Sequence, residues 1–164
     1  MKPITAISGG VAGAVALTLI HESVKRLVPQ APRMDLLGMN AISKGLHKTG
    51  FKKPNDQKLF TLALIGDLAG NALYYSFAGI GKEKNVWVRS SILGLAAGIG
   101  AVILPGPLGL EKRHSNKSTS TKIMTVGLYV AGALVTSAII KLVENKRKKK
   151  KEVWQERLLT SAIS

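Results

Sequence analysis

Apolar residues run almost unbroken through four windows, residues 4–20, 59–81, 86–104 and 123–140, and only Asp67 and Arg89 carry charge inside them. Lys, Arg, Asp, Glu and Pro crowd the stretches between. A helix rising about 1.5 Å per residue needs about 20 apolar residues to cross a hydrocarbon core about 30 Å thick. The second and third windows meet that length as they stand. The first continues helically through His21, Glu22, Ser23, Val24, Lys25, Arg26 and Leu27 to Val28, where Pro29 stops it. The fourth lengthens when Lys122 and Lys141 reach outward to the headgroups. The pattern predicts an all-α, polytopic membrane protein, with a four-helix transmembrane bundle over residues 1–145. Its spans lie at about 4–28, 59–81, 86–104 and 123–141, and a basic amphipathic tail follows over residues 146–164. A signal-peptide reading of the first window, with Lys2 as the basic region and Ala14-Val15-Ala16 as the cleavage site, is weaker. The stretch is glycine-rich rather than leucine-rich, and no soluble domain follows it.

The connections carry their own patterns. Over residues 33–48, Leu36, Met39, Ile42 and Leu46 recur at helical spacing, with Asp35 in the first turn and Lys44, His47 and Lys48 near the end, as the helix dipole favours. This predicts a short helix lying in the interface between spans one and two. Residues 49–56 read as a turn. The third connection opens Pro105-Gly106-Pro107-Leu108-Gly109, continues into a Ser/Thr-rich run over residues 115–121, and is expected to be polar and mobile.

Charge sharpens the picture. The chain has 24 Lys and Arg against 9 Asp and Glu, a formal net charge of +15. A nucleic-acid binder would spread such charge over folded surface elements, whereas here it is excluded from the apolar windows. The densest cluster is Lys146-Arg147-Lys148-Lys149-Lys150-Lys151, followed by Val153, Trp154, Leu158 and Leu159, which suits anionic lipid headgroups. No aromatic-basic stacking module accompanies it, which argues against RNA. Counting Lys and Arg on the two sides of the membrane returns 11 against 12, a tie. The tail cluster places both termini in the cytoplasm, with dual insertion as the alternative. Zero cysteines exclude disulfide scaffolds, thiolate metal sites and cysteine nucleophiles.

Small residues recur four apart in every span: Gly9 and Gly13, Gly66 and Gly70, Gly94 and Gly98, Gly127 and Ala131. Helices in lipid associate through close backbone approach, so these positions are expected to serve packing. Val11-Ala12-Gly13-Ala14 recurs as Val130-Ala131-Gly132-Ala133, a faint internal repeat.

Candidate chemistry is sparse. Asp67 lies near the middle of span two, where an isolated carboxylate costs about 2.5–3.5 kcal/mol, so it must face protein or water. Asn71 and Tyr74 follow at i+4 and i+7, which makes one polar stripe. By depth, His21 and Asp67 sit about 10 and 12 Å from the same membrane face and are able to meet. The stripe is either an interhelical clip or a proton or ion site, with a catalytic role as a third reading. Glu22 is expected to pair with Arg26 at i+4, with Lys25 also in reach at i+3. Trp87 and Arg89 read as a headgroup anchor, joined by Lys148, Lys149, Lys150 and Trp154 of the tail. There is no Walker loop, no His-Glu-x-x-His and no Gly-x-Ser-x-Gly, and the three histidines are far apart in sequence, so neither a metal nor a cofactor is expected.

Gly9-x-x-x-Gly13, then Glu22 at a helix end, then Pro29-Gln30-Ala31-Pro32-Arg33 with Asp35, and later Leu104-Pro105-Gly106-Pro107-Leu108-Gly109-Leu110 closing span three, together resemble the layout of the YagU family. That is a family of small bacterial inner-membrane proteins. The resemblance implies location and fold, and no activity. Two functional classes follow. The first is a non-enzymatic accessory subunit or a small proton or solute channel or transporter built on Asp67, Asn71 and His21, for which a homodimer or larger complex would help to build a pathway. The second is a lipid-acting membrane enzyme using the His21/Glu22 region, with Arg89 or loop bases holding a phosphate.

Overall fold

Pro3 at the first helical position opens α1 (Pro3–Leu27), whose missing N–H costs nothing there. Val28 leaves the helix in an extended conformation, and Pro29 forbids its return. The computed structural model describes the backbone of residues 1–163 and the side chains of residues 1–160. It is all-helical among the described residues, with α2 (Met34–Lys48), α3 (Asp56–Ser76), α4 (Val86–Ile103), the one-turn α5 (Arg113–Asn116) and α6 (Thr119–Ile163). The end of the tail beyond residue 160 lies outside the described side chains.

Three helices are long and apolar enough to cross a membrane: Pro3–Leu27, Glu83–Ile103 and Thr119–Thr160. α3, at 21 residues, is as long as Glu83–Ile103 but is not among them, because Asp67 and Asn71 dilute its apolar content. Large apolar side chains stand exposed along the outsides of these helices, Ile4, Ile7, Leu19, Ile92, Ile99 and Ile103 among them. That outward apolar surface matches association with a membrane.

α1 and α6 form the central pair, α3 packs on α1, and α4 packs on α6. The neighbours run antiparallel. Gly79 meets Ala6 and Gly10 meets Ala72 and Ser76 between α1 and the end of α3, while Gly9 meets Ile140 and Gly13 meets Gly132 between α1 and α6. α3 and α4 scarcely touch. Tyr74 of α3 donates its hydroxyl to the Leu93 carbonyl of α4 at 3.1 Å, and beyond it the two helices diverge around a mainly apolar groove of about 350 Å³.

Glycine decides the central crossing. A Cβ on Gly132 would stand 3.0 Å from the Gly13 carbonyl, and one on Gly13 would stand 2.6 Å from the Gly132 carbonyl. The two halves of the faint internal repeat therefore face each other, backbone against backbone. On α4 the buried residues Val86, Ser90, Gly94 and Gly98 recur every four positions and lay one narrow face on α6. Gly9, Gly13, Gly94 and Gly98 pack as their spacing suggests. Gly66, Gly70 and Gly127 do not, since each has nothing within 4 Å of where a Cβ would be. Gly10, Gly79 and Gly132, absent from the list of expected packing glycines, make the close approaches instead.

Further differences from the sequence reading have local causes. The second apolar window does not stay helical to residue 81: α3 ends at Ser76, a 3₁₀ turn covers Phe77–Gly79, and Gly81 at φ +98° reverses the chain. The basic tail is no separate segment, because α6 continues without a break for 45 residues. At about 1.5 Å per residue that is roughly 67 Å, about twice the hydrocarbon thickness. The connection expected to be mobile is tied down. Ser115 and Thr121 are buried, Lys44 Nζ donates to the Gly109 carbonyl at 2.7 Å, Asn40 Oδ1 accepts from the Glu111 amide at 3.2 Å, and the Arg33 amide donates to the His114 carbonyl at 2.7 Å. α2 thus docks on this connection as well as on α3.

Gly13→Val is expected to cost at least 1–3 kcal/mol by overpacking (~, as for other crowded cores) and to lower the melting temperature in detergent. Gly66→Ala should be neutral or stabilising by up to about 1 kcal/mol, since it adds helix propensity into open space. Equal destabilisation by both would contradict the crossing described here.

Candidate functional site

Charged and polar side chains that the sequence holds far apart converge where α2 folds back over the ends of α1 and α3. Thr18, His21 and Glu22 of α1, Met34 and Asp35 of α2, and Phe60, Ala63, Leu64 and Asp67 of α3 line one cavity of about 30 Å³. That volume holds one or two waters and no larger solute.

His21 is buried, and its Nε2 lies 2.9 Å from the Pro32 carbonyl oxygen. A carbonyl only accepts, so Nε2 carries the hydrogen and the neutral ring keeps its lone pair at Nδ1. Nδ1 stands 3.6 Å from Glu22 Oε1. The sharp Val28–Pro32 bend sets this geometry, since it brings a carbonyl from beyond the helix end back to a residue eleven positions earlier. Asp67 Oδ1 accepts from Asn71 Nδ2 at 3.0 Å, one turn further along α3. Tyr74 does not join the cavity, because its hydroxyl is committed to α4. The structure thus brings His21 and Asp67 to one cavity, bonds Asn71 to Asp67, and turns Tyr74 elsewhere.

An ion network closes the rim. Lys25 Nζ lies 2.6 Å from Glu22 Oε1 and 3.3 Å from Asp35 Oδ2, and Arg33 grips Asp35 with two bonds, Nε to Oδ1 at 3.1 Å and the second guanidinium nitrogen to Oδ2 at 2.9 Å. Glu22 therefore pairs with Lys25 and not with Arg26, which forms no ion pair among the described residues. The reason is tertiary: Asp35 on α2 draws Lys25 inward, and the ammonium bridges both carboxylates. Burial pushes the Asp35 carboxyl up, but the Arg33 hydrogen bonds together with the charges of Lys25 and Arg33 more than offset it and hold the group at about 2. The same contact raises the Arg33 guanidinium above its ordinary value.

Arg89 and Trp87 lie at the opposite end of the bundle. The Arg89 guanidinium donates twice to the Ala78 carbonyl, at 3.0 and 2.9 Å, and once to the Lys82 carbonyl at 2.9 Å. It caps the chain just past the end of α3, where a cation is favoured. Trp87 remains exposed. In the tail, Lys148 is drawn into an ion pair with Glu83 at 2.6 Å, which Lys141 also reaches at 3.4 Å, while Lys149, Lys150 and Trp154 stay exposed. Arg147 pairs with the buried Glu144 at 2.9 Å.

Three contributors escaped the sequence reading in whole or in part. Tyr75, fully buried, donates to the Tyr129 carbonyl at 2.8 Å and ties α3 to α6. Lys25 was legible only as a helical neighbour of Glu22, and Asp35 only as a dipole partner. The Arg33-x-Asp35 spacing was the available signal for the bidentate pair.

No protein-family model, curated protein or solved structure matches this chain. The class rests on the fold: an all-helical chain with three helices able to cross a membrane and a polar, water-sized cavity at one end. Among the described residues no group of three His, Cys, Asp or Glu is placed to hold a metal ion.

The Asp35 clamp predicts a pH dependence. Its carboxyl is depressed from an ordinary value of 3.8 to about 2, so its stabilisation is present above about pH 4 and is lost as pH falls towards about pH 2. Melting curves of the wild type should drop across that interval. Asp35→Asn should melt lower at neutral pH and show a smaller drop there.

Proposed function

We propose that this chain is a multi-pass protein of the bacterial inner membrane, with four spans and both termini cytoplasmic, that handles protons at the His21–Asp67 cavity. It acts as an accessory subunit of a membrane complex or as a small proton channel or transporter. The observation that carries this reading is the pairing itself: two titratable groups from different helices line one cavity that admits water and excludes larger solutes. The small volume favours protons over a transported solute.

α3 serves as the fourth span. It runs back along α1 from the Asp67–His21 level to the Gly79–Ala6 contact, and its outer face presents Leu62, Ile65 and Leu73 as a lipid-facing surface does. Asp67 is half-buried, turned towards the His21 cavity and hydrogen-bonded by Asn71, which lessens the objection to a carboxylate at that depth. The resemblance to the YagU family agrees with an inner-membrane bundle and adds no activity.

The chemistry assigned to each group is simple. Pro32 fixes the His21 ring through Nε2, which leaves Nδ1 to accept a proton from cavity water, and Glu22 steadies the resulting charge. Asn71 occupies Asp67 Oδ1, which leaves the second oxygen to exchange a proton with the same water. A homodimer or larger complex completes the path across the membrane, and the open Gly66/Gly70 face of α3 suits close approach of a neighbouring helix. Lys149, Lys150 and Trp154 engage anionic headgroups. The lipid-acting enzyme is the weaker reading, because Arg89 caps a turn at the opposite end of the bundle from His21.

In proteoliposomes under a pH gradient, Asp67→Asn should fold normally and abolish proton flux, and His21→Gln should weaken or shift it. If Asp67 were only a clip, Asn would preserve flux and Leu would disturb packing modestly, near the average of about 0.6 kcal/mol for an interhelical hydrogen bond in a membrane. Reporter fusions test the topology: one after Ser164 should behave as cytoplasmic and one near Asn55 as the opposite. Equal behaviour of both would indicate dual insertion.

A further inference from the structure

A second cavity, of about 360 Å³, lies at the same end of the bundle, on the other side of the α1 terminus. It shares no lining residue with the His21–Asp67 cavity. Lys25 of α1, Arg33 of the bend, Arg113 and His114 of α5, and Lys117 converge on it, with Thr121 at the start of α6 closing one wall. No carboxylate lines it. The acids that pair with Lys25, Arg33 and Arg113, namely Glu22, Asp35 and Glu111, stand outside the lining, and Lys117 forms no ion pair among the described residues.

Lys25, Arg33 and Arg113 meet those acids on their outer sides, which leaves the cavity face of the cluster positive, with Lys117 unpaired among the described residues, and an anion in the cavity supplies the counter-charge that face lacks. The walls are prebuilt. The Arg33 amide donates to the His114 carbonyl at 2.7 Å, and Thr121 Oγ1 donates to the Gln30 carbonyl at 2.8 Å, so the bend after α1 is stitched to α5 and α6. Arg113 supplies a planar fork that matches phosphate oxygens and Lys117 a free point charge, while Lys25 and Arg33, held by Glu22 and Asp35, line the wall behind them. Burial holds the His114 imidazole below its ordinary value, and a bound anion would favour its protonated form.

We infer that this cavity binds a phosphate group, carried either by an anionic lipid headgroup or by a soluble phosphate ester. The volume takes a phosphate with a small polyol attached. The cavity sits where α1 ends and α6 begins, the level at which headgroups lie if these helices span the bilayer. The inference is independent of proton handling at His21 and Asp67, and its test touches neither residue.

The test uses the full chain in a phosphate-free maltoside detergent, probed with phosphatidylglycerol by native mass spectrometry and with inorganic phosphate by calorimetry. Lys117→Ala is the first variant, since its exposed side chain bonds to nothing that holds the fold, and Arg113→Ala the second. Each is expected to weaken binding about tenfold, the loss of one charge-assisted contact, with an unchanged melting temperature. Lys84→Ala, an exposed cation at the opposite end of the bundle, should leave one tightly held phosphate group per chain. Retention of phosphatidylglycerol that millimolar phosphate does not displace identifies a lipid headgroup, and displacement identifies a soluble ligand. Binding of neither probe, or equal binding by wild type, Lys117→Ala and Arg113→Ala, overturns the inference.

Discussion

The contact of α1 with α6 at Gly13 and Gly132 is the constraint on which the remaining packing depends. Two helix backbones approach until each carbonyl occupies the space a side chain would need on the other. The hydroxyl of Thr136, which crosses the same region, is satisfied within its own helix by the Gly132 carbonyl at 3.1 Å, so the close approach does not strand it. α3 then rests on α1 through Gly10 and Gly79, and α4 rests on α6 through Gly94 and Gly98. In lipid, where apolar side chains gain little by leaving the solvent, such dispersion contacts carry the assembly.

Because α1 is central, its far end controls the polar chemistry. The helix stops at Pro29, and the bend behind it returns the Pro32 carbonyl to His21 and presents Arg33 and Asp35 to Lys25. One short segment orients the imidazole, closes a water-sized cavity on one side and forms the wall of a cationic cavity on the other. Lys25 belongs to both neighbourhoods, since it bonds Glu22 and Asp35 and also lines the cationic cavity. The two ends of the bundle differ accordingly. At the opposite end Arg89 and Glu83 serve structure, one capping the close of α3 and the other tying the turn before α4 to Lys141 and Lys148 of α6.

The all-helical class and the approximate placement of the long helices were legible in the sequence because they follow from local quantities: apolar runs too long for strands, prolines that end helices, and an α2 pattern with charges placed for its dipole. The depth argument that allowed His21 and Asp67 to meet used only helical rise and an antiparallel return. What depended on side-chain direction was not legible. Glu22 had two helical partners of similar reach, and the choice of Lys25 was made by Asp35, a residue on another element. The backbone bonds of Arg89 were not legible either, because the Ala78 carbonyl is presented to it only once α3 has broken into a 3₁₀ turn.

Glycine spacing shows the same division. The sequence by itself determined that small residues recur along each apolar helix, since spacing is a property of one helix. Only the tertiary structure decided that Gly13 faces Gly132 while Gly66 and Gly70 face outward, because each depends on which neighbour lies across the interface. Charge divides likewise. Exclusion of Lys and Arg from the apolar windows, Arg89 apart, is a one-dimensional fact, fixed by the cost of burying charge in hydrocarbon. The convergence of Lys25, Arg33, Arg113 and Lys117 on one cavity is three-dimensional, created when the bend after α1 and the connection before α6 are hydrogen-bonded together.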